Sequence, residues 1–184
     1  MRSLICFIAL NLFSFGSTHP AGESGSKFTI ARIKYGGGGD WYENRTALKT
    51  LLKYLNDKTN VASEITETYV EPSDIRLFDY HFLYLTGHGN VKFSEADVKN
   101  LRAHLTHGGF LWCDDDYGID LFFRREMKKV FPELDFVELP FSHPVYHQKY
   151  DFPNGLPKIH EHDEKAAQGF GLIFQGRLVC FYDF

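Results

Sequence analysis

Asp114, Asp115 and Asp116 end an apolar run, Gly109-Phe-Leu-Trp-Cys-Asp-Asp-Asp116, and His88 stands between glycines at the end of another, His81-Phe-Leu-Tyr-Leu-Thr-Gly-His-Gly89. Buried parallel strands read as short continuous apolar runs, and open α/β sheets bind ligands just beyond the carboxyl ends of such strands. Carboxylates grouped with an imidazole can do general acid–base work or complete the shell of a divalent metal. His88, Asp114 and Asp115 are therefore the candidate catalytic groups, with Asp116 beside them as a ligand-binding residue. The triplet has a structural alternative, in which one carboxylate caps the helix near Asp120 or folds a turn with Gly118 while the others are solvated.

Other residues could join such a site. His160-Glu-His-Asp163 sets two imidazoles on one side of an extended segment, which suits a divalent ion such as zinc if His88 or Asp114–Asp116 complete the shell. That spacing is no established zinc signature, and a hydrogen-bonded polar cluster lining a cleft, or surface histidines without a role, are the competing readings. His160 and His162 are the candidate metal ligands. His143 and His147, in a loop region punctuated by Pro140, Pro144, Pro153 and Pro157, are candidate ligand-binding residues. Asp40 and Trp41, following Gly36–Gly39, could form one cleft wall, though an aromatic pair there also serves packing; the glycine run lacks both GxGxxG and the Walker lysine. Arg124 could hold an anionic substrate or pair structurally with the carboxylates.

These groups need elements to position them. Phe28, Ile30 and Ile33 read as a strand running into the glycine loop, and Leu48, Leu51, Leu52 and Leu55 recur at helical spacing with Asn44 as a possible cap. Ser63–Val70 is β-rich, Phe78–Thr86 reads as a central strand, and Ser94-Glu-Ala-Asp97 is a capping box opening a helix with Val98, Leu101 and Leu105 inward. Gly108-Gly109 closes that helix and leads into the strand before the carboxylates. A helix over Asp120–Phe131, with Leu121, Met127, Val130 and Phe131 near one face, stops at Pro132. Phe170–Phe174 and Arg177–Phe184, separated by Gln175-Gly176, read as a closing β-hairpin. The alternation predicts a three-layer α/β sandwich with a mostly parallel sheet and a C-terminal excursion.

With 184 residues, a net charge of −4 and 43% hydrophobic residues, the chain is globular and offers no broad basic field for nucleic acid. Arg2, the apolar run Leu4–Phe13 and Ser14-Phe-Gly16 have the pattern of a secretory signal peptide. The expected organisation is a signal peptide over 1–16, a flexible lead over 17–26 and a single α/β domain over 27–184, exported to the periplasm or beyond. The run is shorter than the about twenty apolar residues of a membrane span, so no stable span is expected after cleavage. Protein recovered from cells should accordingly begin near Ser17; an intact Met1 in a cytoplasmic fraction overturns the export reading. Export also permits a disulfide between Cys113 and Cys180, against which stands the reading of two buried thiols.

The stretches Ala31–Tyr42, Leu85-Thr-Gly-His-Gly89, Gly108–Gly118, Phe123-Arg-Arg-Glu-Met127 and Pro157-Lys-Ile-His-Glu-His162 together resemble the bacterial domain-of-unknown-function family 4159 over nearly all of residues 27–184. The resemblance implies a class I glutamine-amidotransferase-like, flavodoxin-like fold, related in outline to trehalose-utilisation-type proteins, and no established activity. Amidotransferase-like enzymes carry a cysteine on a tight strand-to-helix elbow with small residues two positions either side. Cys113 has Leu111 and Asp115 there, and neighbouring carboxylates would raise its pKa, so glutaminase chemistry is not expected. Two functions remain: a hydrolase, metal-assisted or acid–base, acting on a polar or carbohydrate-like substrate through His88, the aspartates and His160 or His162; or a non-catalytic envelope protein using the same cleft for a small molecule or an envelope protein partner.

Overall fold

A computed structural model describes residues 27–157 and 167–183. The expected signal peptide and lead, and His160 and His162, lie outside the described residues. Strands β1 (Ile30–Ile33), β2 (Thr68–Val70), β3 (Phe82–Gly87), β4 (Phe110–Asp115), β5 (Val137–Glu138), β6 (Gly169–Phe174) and β7 (Arg177–Asp183) alternate in their first half with helices α1 (Ala47–Lys58), α2 (Glu95–Thr106) and α3 (Asp120–Val130). They form one seven-stranded sheet in the order β2-β1-β3-β4-β7-β6-β5. The pairings from β2 to β7 are parallel; β6 runs antiparallel to both β7 and β5.

Residues of β3 from Leu83 to Gly87 are all buried, which is why the strand is apolar without alternation. On one face Leu83, Leu85, Leu111 and Cys113 pack with Leu101 and Leu105 of α2 and Phe123, Met127 and Val130 of α3. On the other, Ile30 and Tyr84 pack with Leu48 and Leu52 of α1, and the same side of β7 is covered by a cluster of Leu139, Tyr146 and Phe181 with Phe141 and Phe152. The adjacency of the strands over 81–86 and 109–113, and their cover by α1 and α2, are as expected, and the capping box at Ser94 and Asp97 is reciprocal. Among the described residues no helix is long and apolar enough to cross a membrane.

Several local expectations need correction. Asn44 does not cap α1: its backbone is left-handed (φ 55°) and its amide donates to Thr86 Oγ1 at 3.2 Å. The predicted strand start at Phe78 gives way to a 3-10 turn over Ile75–Asp79, seeded by Asp74 accepting from the Arg76 amide at 2.9 Å. Only Thr68–Val70 of the 63–70 stretch is a strand, with an isolated bridge between Phe28 and Ser63. Leu121 is 79% exposed, and the place it was expected to fill on α3 falls to Phe123 and Glu126. Cys113 and Cys180 are free and buried, Cys180 standing opposite Leu111. The C-terminal hairpin forms, but β7 enters the middle of the sheet beside β4, because Val179, Cys180, Phe181 and Tyr182 are apolar on both faces and need cover on both.

Candidate functional site

In the order β2-β1-β3-β4-β7 the chain leaves β1 outward to β2 and returns to β3 on the other side, so the loops beyond β1 and β3 emerge where the strand order reverses, the usual ligand-binding position in such sheets. The first of these loops is Gly36–Gly39 with Asp40; the second is Gly87-His88-Gly89. Their backbones are stitched by Gly39 N–H to the Asn90 carbonyl (3.1 Å) and Asp40 N–H to the His88 carbonyl (3.3 Å). So close an approach requires glycine: a Cβ on Gly39 would meet the His88 carbonyl at 2.6 Å.

Asp40 uses the approach twice. One carboxylate oxygen accepts from the His88 amide, and the other lies 2.9 Å from His88 Nδ1. The opposite ring nitrogen, Nε2, is 3.6 Å from Asp116 Oδ2, which sets the half-exposed imidazole between two carboxylates. Burial pulls the His88 pKa down, but the hydrogen bond and charge of Asp40, joined by Asp116, outweigh it and hold the ring above its ordinary value. Burial likewise opposes ionisation of Asp40, and the His88 backbone and ring outweigh it, leaving the Asp40 pKa lowered.

A second polar group lies one strand further along the same edge. Thr86, Asp114 and Asp183 are in register on β3, β4 and β7, so their side chains share the face covered by α1 and stand about 5 Å apart strand to strand. Behind them runs a row of aromatics, Tyr84, Trp112 and Phe181. Each carboxylate takes a hydrogen bond from the row behind: Tyr84 OH donates to Asp114 Oδ2 at 2.7 Å, and Trp112 Nε1–H to Asp183 Oδ1 at 2.7 Å. Burial, then the charge of Asp114, pushes the Asp183 carboxyl up to about 7 from 3.8, against the opposing Trp112 bond. The pair can thus hold one proton between two carboxylates at neutral pH.

Asp115 points to the other face. Its carboxylate accepts from Tyr182 OH (2.6 Å) and from the amides of Tyr117 (2.8 Å) and Ile119 (3.3 Å), folding the turn from β4 into α3. Burial raises its pKa. Strand alternation is the cause: Asp115 follows Cys113, Asp114 follows Trp112. Trp41 packs between the rings of Tyr42 and Tyr69 at 5.6 and 5.5 Å, and its carbonyl accepts from buried Arg32. Arg124 pairs with Asp120 at 2.6 Å and lies over the ring of Phe170 at 4.3 Å. His143 Nδ1 accepts from the Val145 amide at 3.2 Å, and the His147 ring is held between Asp151 and the Phe141 carbonyl. Among the described residues no group of three or more His, Cys, Asp or Glu is arranged to hold a metal ion. The structure therefore sets Asp40 and Asp116 against His88, and on the neighbouring strands groups Asp114 with Asp183, Tyr84 and Trp112. The signal for Asp183 was the run Val179-Cys-Phe-Tyr-Asp183, which ends in a carboxylate as Leu111-Trp-Cys-Asp114 does.

Residues 29–184 match the family model described as Domain of unknown function (DUF4159). No curated protein matches the chain. The chain belongs to the DUF4159 family.

Proposed function

We propose that this DUF4159 chain is an acid–base hydrolase acting on a neutral, carbohydrate-like substrate at the carboxyl edge of β1, β3, β4 and β7. The observation that carries the reading is the Asp114–Asp183 pair: two in-register carboxyls, one with its pKa pushed up to about 7 and the other accepting from a buried tyrosine. Glycoside hydrolysis with two carboxyls needs one protonated and one ionised group flanking the scissile bond, and a separation of about 5 Å suits the ionised one as nucleophile.

In this mechanism protonated Asp183 gives its proton to the leaving oxygen as the bond to carbon breaks. Asp114 bonds to that carbon through a carboxylate oxygen as the leaving bond breaks, the route that a separation of about 5 Å suits. Water then gives a proton to Asp183 while its oxygen displaces Asp114 from the carbon, which leaves Asp183 protonated and Asp114 ionised as at the start. Tyr84 and Trp112 are positioning residues. His88, its Nδ1 fixed by Asp40, presents Nε2 toward Asp116 as a second proton carrier at the mouth. The parallel order supports reading the sheet as a class I glutamine-amidotransferase-like variant without thiolate chemistry: Cys113 lies inside β4, fully buried, its thiol held well above the ordinary value by burial. Export, supported by the pattern over residues 1–16, suits a substrate of the envelope or medium.

Turnover of a panel of nitrophenyl glycosides tests the proposal. We expect activity that falls as pH rises above about 7, where Asp183 loses its proton, and a loss of about a thousandfold or more in Asp183→Asn and Asp114→Asn. Absence of turnover across the panel, or full activity in Asp183→Asn, overturns it.

A further inference from the structure

Tyr146 is 1% exposed, and its hydroxyl has no hydrogen-bond partner among the described residues. Its ring is fixed by edge-on contacts with Phe141 (centroids 5.8 Å, 83°) and Phe181 (6.2 Å, 80°). It belongs to the 3-10 turn Pro144–Tyr146, which His143 opens by accepting from Val145. A buried hydroxyl left unpaired forfeits the hydrogen bonds that it makes to water in the unfolded chain, so its burial without a partner is a cost to the fold.

A Cβ built on Gly169 would overlap the Tyr146 hydroxyl, so that oxygen occupies the space a side chain at 169 would fill. Gly169 is the direct antiparallel partner of Asp183, and opposed residues in such a pair share a face with Cβ positions about 4.5–5.5 Å apart. The hydroxyl therefore continues the row Thr86, Asp114, Asp183 by one more strand. The charge of Asp183 also contributes, after burial, to a raised Tyr146 pKa, consistent with that proximity.

We infer that Tyr146 is a ligand-binding residue whose hydroxyl, with Asp183 and Asp114, grips a hydroxyl group of a neutral, sugar-like ligand. This deepens the acid–base reading and rests on it for the location of the site. A group seated there must accept from Tyr146 O–H and donate to a carboxylate. A hydroxyl does both. An ammonium has no acceptor, and a carboxylate or phosphate would bring further negative charge against that of the pair. Glycine at 169 is then required because any side chain would evict the hydroxyl from the row.

The test is an NMR titration of the full chain, wild type and Tyr146→Phe, with methyl β-D-glucopyranoside and xylitol as neutral probes and inorganic phosphate as the anionic one. We expect saturable shifts at the Gly169 and Asp183 amides with at least one neutral probe, weakened about tenfold in Tyr146→Phe, and none with phosphate. Because phenylalanine keeps the contacts to Phe141 and Phe181 and removes an unpaired hydroxyl, the variant should melt no lower than wild type. Equal affinity in Tyr146→Phe, no saturable shift with either neutral probe, or saturable phosphate binding at these amides overturns the inference. Unchanged probe binding in Tyr146→Phe alongside Asp183-dependent turnover defeats this inference alone. Weakened binding without glycoside turnover in wild type upholds it and defeats the hydrolase reading alone.

Discussion

Asp183→Asn is expected to make the protein more stable at pH 8 while removing its turnover. The carboxyl of Asp183 is pushed up to about 7 in the fold from 3.8, chiefly by burial and then by Asp114. The folded state thus holds its proton over a range in which the unfolded chain has released it, and stability falls as pH rises from about 4 to about 7. At pH 8 the fold carries two ionised carboxylates on adjacent strands. Asparagine is neutral at every pH and still offers an oxygen to Trp112 Nε1–H, so it reproduces the protonated group. Because Asp114 and Asp183 titrate as a pair, we expect a gain of roughly 1–2 kcal/mol at pH 8, or about 2–8 °C in melting temperature for a domain of this size, shrinking toward pH 4. Calorimetry of both proteins between pH 4 and 8 decides it. A stability difference that does not change with pH would show that Asp183 is not held protonated. A substitution that stabilises and inactivates together is the behaviour of a group kept under electrostatic strain for chemistry rather than for the fold.

The central strands were legible because they are buried on both faces: Leu83–Thr86 and Leu111–Cys113 could be read directly, as could the capping box at Ser94. What escaped was long-range pairing. The C-terminal hairpin could be read from its turn, but only its partner β4 puts Asp183 beside Asp114, and no local pattern announces a parallel neighbour 69 residues away in sequence. The carboxylate triplet held more information than a plain reading extracts. Since successive strand residues point to opposite faces, Asp114 and Asp115 could not both serve one cleft, and the one following Trp112 was bound to face differently from the one following Cys113. Asp40 was read from the sequence only as part of one cleft wall with Trp41; its double contact with His88 depends on two glycine loops meeting, which spacing does not encode. Trp41 and Arg124 illustrate the reverse: chemically versatile side chains that packing has claimed, one between tyrosines and the other over aromatic rings.

That meeting of loops is the most sensitive feature of the site, and Gly87→Ala should break it. Gly87 has φ +128°, a region open essentially to glycine alone. A Cβ there would lie 2.5 Å from the Tyr35 hydroxyl, 2.8 Å from the Asp40 carbonyl oxygen and 2.9 Å from Asp40 Oδ1. Two of those three atoms belong to the residue that holds His88, and Tyr35 is itself tied by its hydroxyl to the Thr86 carbonyl at 3.1 Å. Neither neighbour can yield without moving the glycine loop, so we expect a loss on the order of 2–4 kcal/mol in chemical denaturation. The displaced Asp40 would no longer outweigh the burial that pulls His88 down, and the imidazole should titrate at lower pH in the variant. In the wild type the stability contributed by this pair is fully present below the unfolded histidine value of 6.5 and is lost as pH rises through the higher folded one; Gly87→Ala should erase that dependence. Asp40→Asn separates the two effects, because it removes the charge without placing a carbon against the loop: His88 should titrate lower with a smaller loss of stability. A Gly87→Ala protein with wild-type stability and an unshifted His88 titration would mean that the glycine loops do not hold the imidazole in place.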